Sequence, residues 1–126
     1  MHFIIPILML TIVLIDDDPI STFVTEKLIL RNVNEPCQFF KYEGAKKALN
    51  EIYSIKANYL FLDLNMPEMT GWDFLDIFEP ENIGPEVYIL SSSVDERDIT
   101  KAGSYSIVKK YLSKPLIKSY IKTIFN

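Results

Sequence analysis

Short apolar runs alternate along this chain with longer segments in which apolar residues recur at helical spacing. The apolar runs predict five strands, at residues 11–15, 38–42, 59–62, 87–90 and 107–112. The longer segments predict five helices, which begin near residues 19, 45, 71, 95 and 116. In the first helix, which Pro19 opens, the apolar stripe facing the core is approximated by Ile20, Phe23, Val24, Leu28 and Leu30 or Arg31.

The order of elements is a strand followed by a helix, five times over. Apolar strands that alternate with helices predict an α/β fold, a doubly wound five-stranded parallel sheet with helices on both faces. In such a fold the functional side chains gather at the carboxyl ends of the strands. We therefore ask whether the polar motifs of the chain follow the carboxyl ends of the predicted strands.

The 126 residues are enough for one domain, which we place at residues 10–126. Residues 1–9 are an apolar extension of unknown purpose, and Met9 is an alternative start of the chain. The apolar run at residues 3–15 is too short to span a bilayer, and Pro6 interrupts it. No Lys or Arg precedes this run, so it lacks the charged start of a signal peptide.

Composition narrows the class of protein. The net charge of −4 argues against nucleic-acid binding, which needs clustered Lys and Arg. Cys37 is the single cysteine and cannot form an internal disulfide, which fits a reducing cytoplasm. Its apolar surroundings favour a buried small hydrophobe over a reactive thiol.

Polar side chains follow the predicted strands at their carboxyl ends. Asp16 and Asp17 follow the first strand, Asp63 the third, Ser91 the fourth and Lys114 the fifth. Clustered carboxylates repel one another unless a cation lies between them, and their hard oxygens suit Mg²⁺. A lysine and a hydroxyl at the same point can hold phosphoryl oxygens, while one carboxylate acts as the nucleophile. The cluster therefore indicates phosphoryl transfer.

This pattern resembles the receiver domain of response regulators, in its chemotaxis-type, stand-alone form. The resemblance covers residues 11–125 and depends on four motifs in this order: VLIDDDP at residues 13–19, DLNMPEMTG at 63–71, ILSS at 89–92 and KP at 114–115. Each motif is weak alone, and their order and spacing together carry the resemblance. The apolar N-terminal extension departs from the family pattern.

The resemblance implies a phosphoacceptor and a metal site. Asp63 is similar to the residue that becomes phosphorylated. Asp17 and Asp63 would ligate Mg²⁺ directly, together with the backbone carbonyl of Asn65. Asp16 would act mainly through bound water.

The resemblance also implies a switch. Ser91 matches the hydroxyl that moves toward the phosphoryl group, and Tyr111 matches the aromatic side chain that turns inward afterwards. Lys114 matches the lysine of the site, and its bond to Pro115 resembles a cis peptide of the family. Ser92 matches a small residue beside the site.

The function implied is a cytoplasmic phosphoacceptor switch of a two-component phosphorelay. The phosphoryl group would come from a sensor histidine kinase or a phosphotransfer protein. The switch would change binding of a downstream protein through the face of the fourth helix, fifth strand and fifth helix. The domain would catalyse only its own phosphorylation and dephosphorylation. It would be a monomer or a weak homodimer, and it would bind neither nucleic acid nor a membrane.

Two other functions stay open. An aspartyl-phosphate phosphatase places its nucleophile after the first strand with a second Asp two residues on, and Asp16 with Asp18 has that spacing. Such an enzyme would leave Asp63 without a role. A pseudo-receiver would bind partners without phosphorylation, although the acids, Ser91 and Lys114 are all present.

Overall fold

The computed structural model describes residues 9–80 and 84–125 of the protein. Within them, five parallel strands form one sheet in the order β2-β1-β3-β4-β5. The predicted doubly wound α/β fold is confirmed. The extension predicted for residues 1–9 lies outside the described residues except for Met9, which is exposed.

The five strands lie within two residues of the predicted bounds. They are β1 (Leu10–Ile15), β2 (Cys37–Tyr42), β3 (Tyr59–Leu62), β4 (Glu86–Ser91) and β5 (Val108–Ser113). Strand β3 lies at the centre of the sheet, and β1 pairs with β2 on one side and β3 on the other. Because β1 and β3 are covered on both faces, their residues are almost all apolar, with Thr11 as the polar residue of β1, which is why the sequence reveals these strands.

The helices alternate with the strands. They are α1 (Pro19–Asn32), α2 (Ala45–Ile52), α3 (Gly71–Ile77), α4 (Glu96–Gly103) and α5 (Lys118–Ile124). The side chains of Asp18, Thr70 and Asp95 accept backbone N–H groups at the starts of α1, α3 and α4. Helix α2 begins at Ala45, as predicted, and ends at Ile52, where a turn follows. No helix of the described residues is long and apolar enough to cross a membrane.

Two apolar layers enclose the sheet. Helices α2 and α3 contribute Ala48, Ile52 and Phe74 to one layer. On the other side, Ile29 of α1 and Ile121 of α5 pack against the second layer. Trp72 of α3 is partly buried and packs against the first layer.

The apolar stripe predicted for α1 is wrong for Ile20, Phe23, Val24 and Leu30, which are exposed, whereas Leu28 is partly buried and packs against the second layer. The residues of α1 that the structure buries are Thr22, Thr25 and Ile29. Each threonine hydroxyl donates to a backbone carbonyl four residues earlier, at 3.2 Å to Asp18 and 2.9 Å to Ser21. Because the hydroxyls are satisfied within the helix, the threonines can face the sheet. The apolar side chains of Ile20, Phe23, Val24 and Leu30 therefore point toward solvent.

Cys37 also differs from expectation. It begins the edge strand β2, and its thiol is only partly buried rather than enclosed in the core. Burial and the charge of Glu35 nevertheless raise the pKa of the thiol, so it is less reactive than a free cysteine.

Candidate functional site

Three carboxylates meet at the carboxyl edge of the sheet. Asp16 follows β1 and Asp63 follows β3, and each is only 7% exposed. Asp17 is exposed beside them. One oxygen from each of the three carboxylates lies within 4.8 Å of the other two. The sequence placed these residues at strand ends, and neighbouring parallel strands bring those ends together.

The backbone fixes the two buried acids through the continuation of the sheet. The Asp63 N–H donates to the carbonyl of Ile15 at 2.9 Å, and the Asp16 N–H donates to the carbonyl of Tyr42 at 2.9 Å. Among side-chain atoms, Asp63 Oδ1 accepts the Leu64 N–H at 2.8 Å. The second carboxylate oxygen of Asp63, Oδ2, points to Lys114 instead.

Lys114 enters the same site from the end of β5. Its Nζ lies 2.7 Å from Asp16 Oδ2 and 3.2 Å from Asp63 Oδ2. The Lys114 N–H donates to the carbonyl of Ser91 at 2.9 Å, and the Lys114–Pro115 peptide is cis. The lysine therefore bridges two acids that come from different strands.

Burial and charge act in opposite directions on these groups. Burial raises the pKa of the Asp63 carboxyl above its ordinary 3.8, and the negative charge of Asp16 adds to it, against the lowering effect of Lys114. For Lys114, burial alone would lower the pKa. Its hydrogen bond to Asp16 and the charges of Asp63 and Asp16 outweigh burial, so the pKa rises above 10.5. The site holds more negative charge than its one lysine neutralises.

The turn after Asp63 packs closely against α3. The Gly71 N–H donates to the carbonyl of Leu64 at 3.0 Å. A Cβ on Gly71 would lie only 2.4 Å from the backbone oxygen of Asp63 and 2.9 Å from Leu64 Cα. Thr70 and Asp73 cap the helix reciprocally, since each side chain accepts the other residue's N–H. Asn65 is exposed in this turn.

Ser91 is the last residue of β4 rather than the residue after it, and its side chain is fully buried. Its hydroxyl oxygen accepts the N–H of Ser93 at 3.2 Å. Tyr111, partly buried on β5, donates its hydroxyl proton to the carbonyl of Ser93 at 2.8 Å. Ser93 thus connects the two residues that the resemblance marks as a switch. Ser92 is exposed between them.

Sequence reasoning missed the connection from Ser93 to α4. The Ser93 hydroxyl donates to Asp98 at 2.7 Å and accepts the Asp95 N–H at 3.3 Å. The only signal in the sequence is a serine two residues before a helix-capping Asp, which is common in loops. The close approach at Gly71 was missed as well, because a glycine at a helix start has several explanations.

The donor set fits a divalent cation. Carboxylate oxygens are the hard ligands that Mg²⁺ prefers, and one of the three acids is exposed, so a cation there would keep several waters. Asp18, by contrast, is exposed and caps α1 by accepting the Ile20 N–H at 3.0 Å. Asp18 therefore serves as a helix cap and is not part of the cluster of Asp16, Asp17 and Asp63, which gives no support to the phosphatase alternative.

Residues 12–126 match the family model of the response regulator receiver domain. Among curated proteins, no sequence matches the chain.

Solved structures share the fold along most of its length. A two-component response regulator from Cytophaga hutchinsonii is 31% identical with a TM-score of 0.81, and the alignment covers 92% of this chain and 93% of that one. A response regulator receiver domain from Rhodospirillum rubrum is 30% identical with a TM-score of 0.70, covering 91% and 88%. The manganese-bound form of response regulator Rcp1 is 21% identical with a TM-score of 0.71, covering 90% and 88%, and shows likeness of fold.

Proposed function

We propose, because this chain belongs to the response regulator receiver domain family, that its phosphoacceptor is Asp63 and that phosphorylation there changes partner binding. The observation that carries the proposal is the convergence of Asp63, Asp16 and Lys114 at one point, from three different strands. Receiver domains are signalling modules rather than enzymes. Assignment to the chemotaxis-type, stand-alone subclass stays a prediction.

The two oxygens of Asp63 are unequal. Oδ1 accepts the Leu64 N–H, whereas Oδ2 faces Lys114 Nζ at 3.2 Å, so we assign Oδ2 as the nucleophile. In the proposed step Oδ2 attacks the phosphorus of a phosphohistidine, a P–O bond forms and the P–N bond breaks. The departing imidazole nitrogen takes a proton from water, and an acyl phosphate is left on Asp63.

Asp16, Asp17 and Asp63, with the backbone carbonyl of Asn65, would hold Mg²⁺, Asp16 mainly through bound water. When bound, this cation neutralises charge on the transferring phosphoryl oxygens. The acids of this chain supply the hard oxygens and the excess negative charge that such a cation requires. Rcp1, which shares the fold, has been crystallised in a manganese-bound form, which is consistent with a divalent cation in a protein of this fold.

Lys114 and Ser91 complete the proposed site. Lys114 lies against the nucleophilic oxygen at 3.2 Å, so it can pair with a phosphoryl oxygen that replaces part of this contact. Ser91 can donate its hydroxyl proton to a second phosphoryl oxygen if it moves toward Asp63. That movement would lengthen the hydrogen bond from the Ser93 N–H, because both use the same hydroxyl.

The proposed signal passes from Ser91 to the surface of α4, β5 and α5. Ser93 binds Tyr111 through its carbonyl and Asp98 of α4 through its hydroxyl. A shift of Ser91 therefore acts on β5 and α4 together. We infer that a downstream protein binds this face, and that a sensor histidine kinase or phosphotransfer protein supplies the phosphoryl group in the cytoplasm.

Intact mass after incubation with acetyl phosphate and Mg²⁺ tests the acceptor. The wild type should gain one phosphoryl group, about 80 Da, and Asp63→Asn should gain none. Asp76→Asn is the matched control, because Asp76 is an exposed carboxylate on α3 bonded to Tyr105, and it should label like the wild type.

Two other labelling results would contradict Asp63 as the phosphoacceptor. Labelling that persists in Asp63→Asn would mean a different acceptor. No labelling of the folded wild type under any condition would favour the pseudo-receiver, which binds its partners without phosphorylation.

A further inference from the structure

A cavity of about 10 Å³ lies between the buried face of α1 and the sheet, and it reaches two acids of the candidate site. Its polar lining consists of Thr22 and Thr25 from α1 together with Asp16 and Asp63. The apolar lining comes from three strands and consists of Leu14, Ile15, Phe61 and Leu90. All of these residues are buried. Such a volume is about what one water molecule needs, and a buried water is held when two to four polar groups surround it.

The two threonines offer acceptors to this cavity. Their hydroxyl protons are donated within the helix, from Thr22 to the carbonyl of Asp18 and from Thr25 to the carbonyl of Ser21. Each hydroxyl oxygen keeps lone pairs that can accept a further hydrogen bond. Valine has a similar shape and would fill the same space with no polar oxygen to bury. Two threonines on this face therefore indicate a polar contact beyond the helix.

The two carboxylates also have acceptor capacity left. Asp16 accepts the Asp18 N–H at 2.9 Å and lies 2.7 Å from Lys114 Nζ. Asp63 accepts the Leu64 N–H at 2.8 Å and lies 3.2 Å from the same Nζ. An ionised carboxylate has about four lone-pair sites, so each acid can accept further hydrogen bonds. Threonine oxygens and carboxylates thus line one cavity as acceptors, and only a donor between them can join the two sides.

We propose that one ordered water occupies this cavity and donates one proton to a threonine oxygen and the other to a carboxylate of Asp16 or Asp63. Water carries two protons and matches the volume, so it can join two acceptors that cannot bond to each other. Through this water, α1 holds the acids in the orientation in which they bind Mg²⁺, a role that rests on the proposed function. Thr22 and Thr25 are then positioning residues, which touch neither the cation nor the phosphoryl group.

Magnetisation transfer from water, measured by nuclear Overhauser spectroscopy on the whole chain, tests for the water directly. In the wild type we expect transfer to the methyl groups of Leu14 and Leu90, which line the cavity. The methyl groups of Ile121, which is buried elsewhere in the same apolar layer, should show none. The transfer should disappear when Thr22→Val and Thr25→Val are combined, because the α1 side then has no oxygen to hold a water. A wild type without transfer to Leu14 and Leu90 overturns the proposal.

A Mg²⁺ titration followed by the amide chemical shifts of Asp17 and Leu64 tests the positioning role without any phosphorylation. Thr25→Val should raise the Kd for Mg²⁺ about tenfold, the lower end of the effect of losing an outer partner of a metal ligand. Thr25→Ser keeps the hydroxyl and should bind Mg²⁺ like the wild type. A Kd that Thr25→Val leaves unchanged, or that Thr25→Ser raises equally, overturns the positioning role.

Thr123→Val is the matched control for the loss of a helical threonine hydroxyl. Thr123 on α5 donates its hydroxyl proton to the carbonyl of Ser119 at 3.0 Å, just as Thr25 does within α1, but its side chain is exposed. The variant should leave both the water transfer and the Kd for Mg²⁺ unchanged. An equal rise of the Kd in Thr123→Val would show a general effect of the substitution and would overturn the positioning role.

The two experiments separate this inference from the proposed function. A wild type whose amide shifts do not respond to Mg²⁺ overturns the proposed metal site together with the positioning role of the threonines. A wild type that binds Mg²⁺ but shows no water transfer overturns the proposed water and leaves the metal site in place.

Discussion

The close contact at Gly71 gives the sharpest prediction, because the structure states what a single methyl group would meet. The perturbation is Gly71→Ala. Its Cβ would lie 2.4 Å from the Asp63 carbonyl oxygen, whereas ordinary van der Waals contact begins near 3.4 Å. The obstructing atoms belong to the backbone of Asp63 and Leu64, in the turn that follows β3, so no side chain can rotate away. The backbone has to move by about 1 Å.

The magnitude follows from two opposed effects. Overpacking of this kind costs about 1–3 kcal/mol, while alanine gains up to about 1 kcal/mol over glycine within a helix. We therefore expect Gly71→Ala to lower the free energy of unfolding by about 1–2 kcal/mol. With a urea dependence of about 2 kcal/mol per molar, the unfolding midpoint should fall by roughly 0.5–1 M. Because the displaced atom belongs to Asp63, acetyl phosphate labelling should slow as well, by up to about 100-fold.

The assay is urea unfolding followed by circular dichroism, with labelling measured on the same preparations. Gly103→Ala is the control, since a Cβ there meets nothing within 4 Å and the residue is helical. Its midpoint should stay equal or rise. The reasoning is refuted if Gly71→Ala unfolds at the wild-type midpoint and is labelled at the wild-type rate.

Three further predictions concern the same region. Lys114→Met should slow labelling by about 100-fold or more in the intact-mass assay, because it removes the cation beside the nucleophilic oxygen; labelling at the wild-type rate would exclude that role. Asp63→Asn should change how stability depends on pH in metal-free buffer. Because the pKa of the folded carboxyl is raised, the folded wild type holds this proton more tightly, and its stability falls as pH rises from about 3.8 through the raised pKa. Urea midpoints of the two proteins should therefore diverge in favour of Asp63→Asn across that window, and parallel curves would contradict the shift. Thr70→Ala should lower the free energy of unfolding by about 1 kcal/mol, since it removes the cap that accepts the Asp73 N–H, and an unchanged thermal midpoint would show the cap to be unimportant.

The strands were predictable because of where they lie. Strands β1 and β3 are buried on both faces, so their sequences are almost entirely apolar, and turn or helix-capping residues mark where they end. The buried face of helix α1 was predicted wrongly, because this helix is covered on one face only. The spacing of apolar residues cannot tell which helix face meets the sheet here, because the buried threonines donate their hydroxyl protons to carbonyls of the same helix and so can face the sheet.

The sequence was sufficient to predict which residues form the candidate site, but not the contacts between their side chains. Asp16, Asp63 and Lys114 each come at the end of a predicted strand, and the parallel order of strands requires those ends to share an edge. Nothing in the sequence indicates that Lys114 Nζ bridges both acids, or that Ser93 joins Ser91 to Tyr111. These contacts depend on strand order, register and the path of the β4–α4 connection.

The sequence by itself therefore determined the alternation of elements, the parallel sheet and the chemical types that gather at its edge. Local hydrophobic pattern and capping residues are sufficient for these, because they act between near neighbours in the chain. Only the tertiary structure decided which face of α1 is exposed, how closely Gly71 approaches Asp63 and which carboxylate oxygen of Asp63 faces Lys114. Those depend on atoms far apart in sequence that close packing brings within a few ångströms, where a difference of about 1 Å changes the outcome.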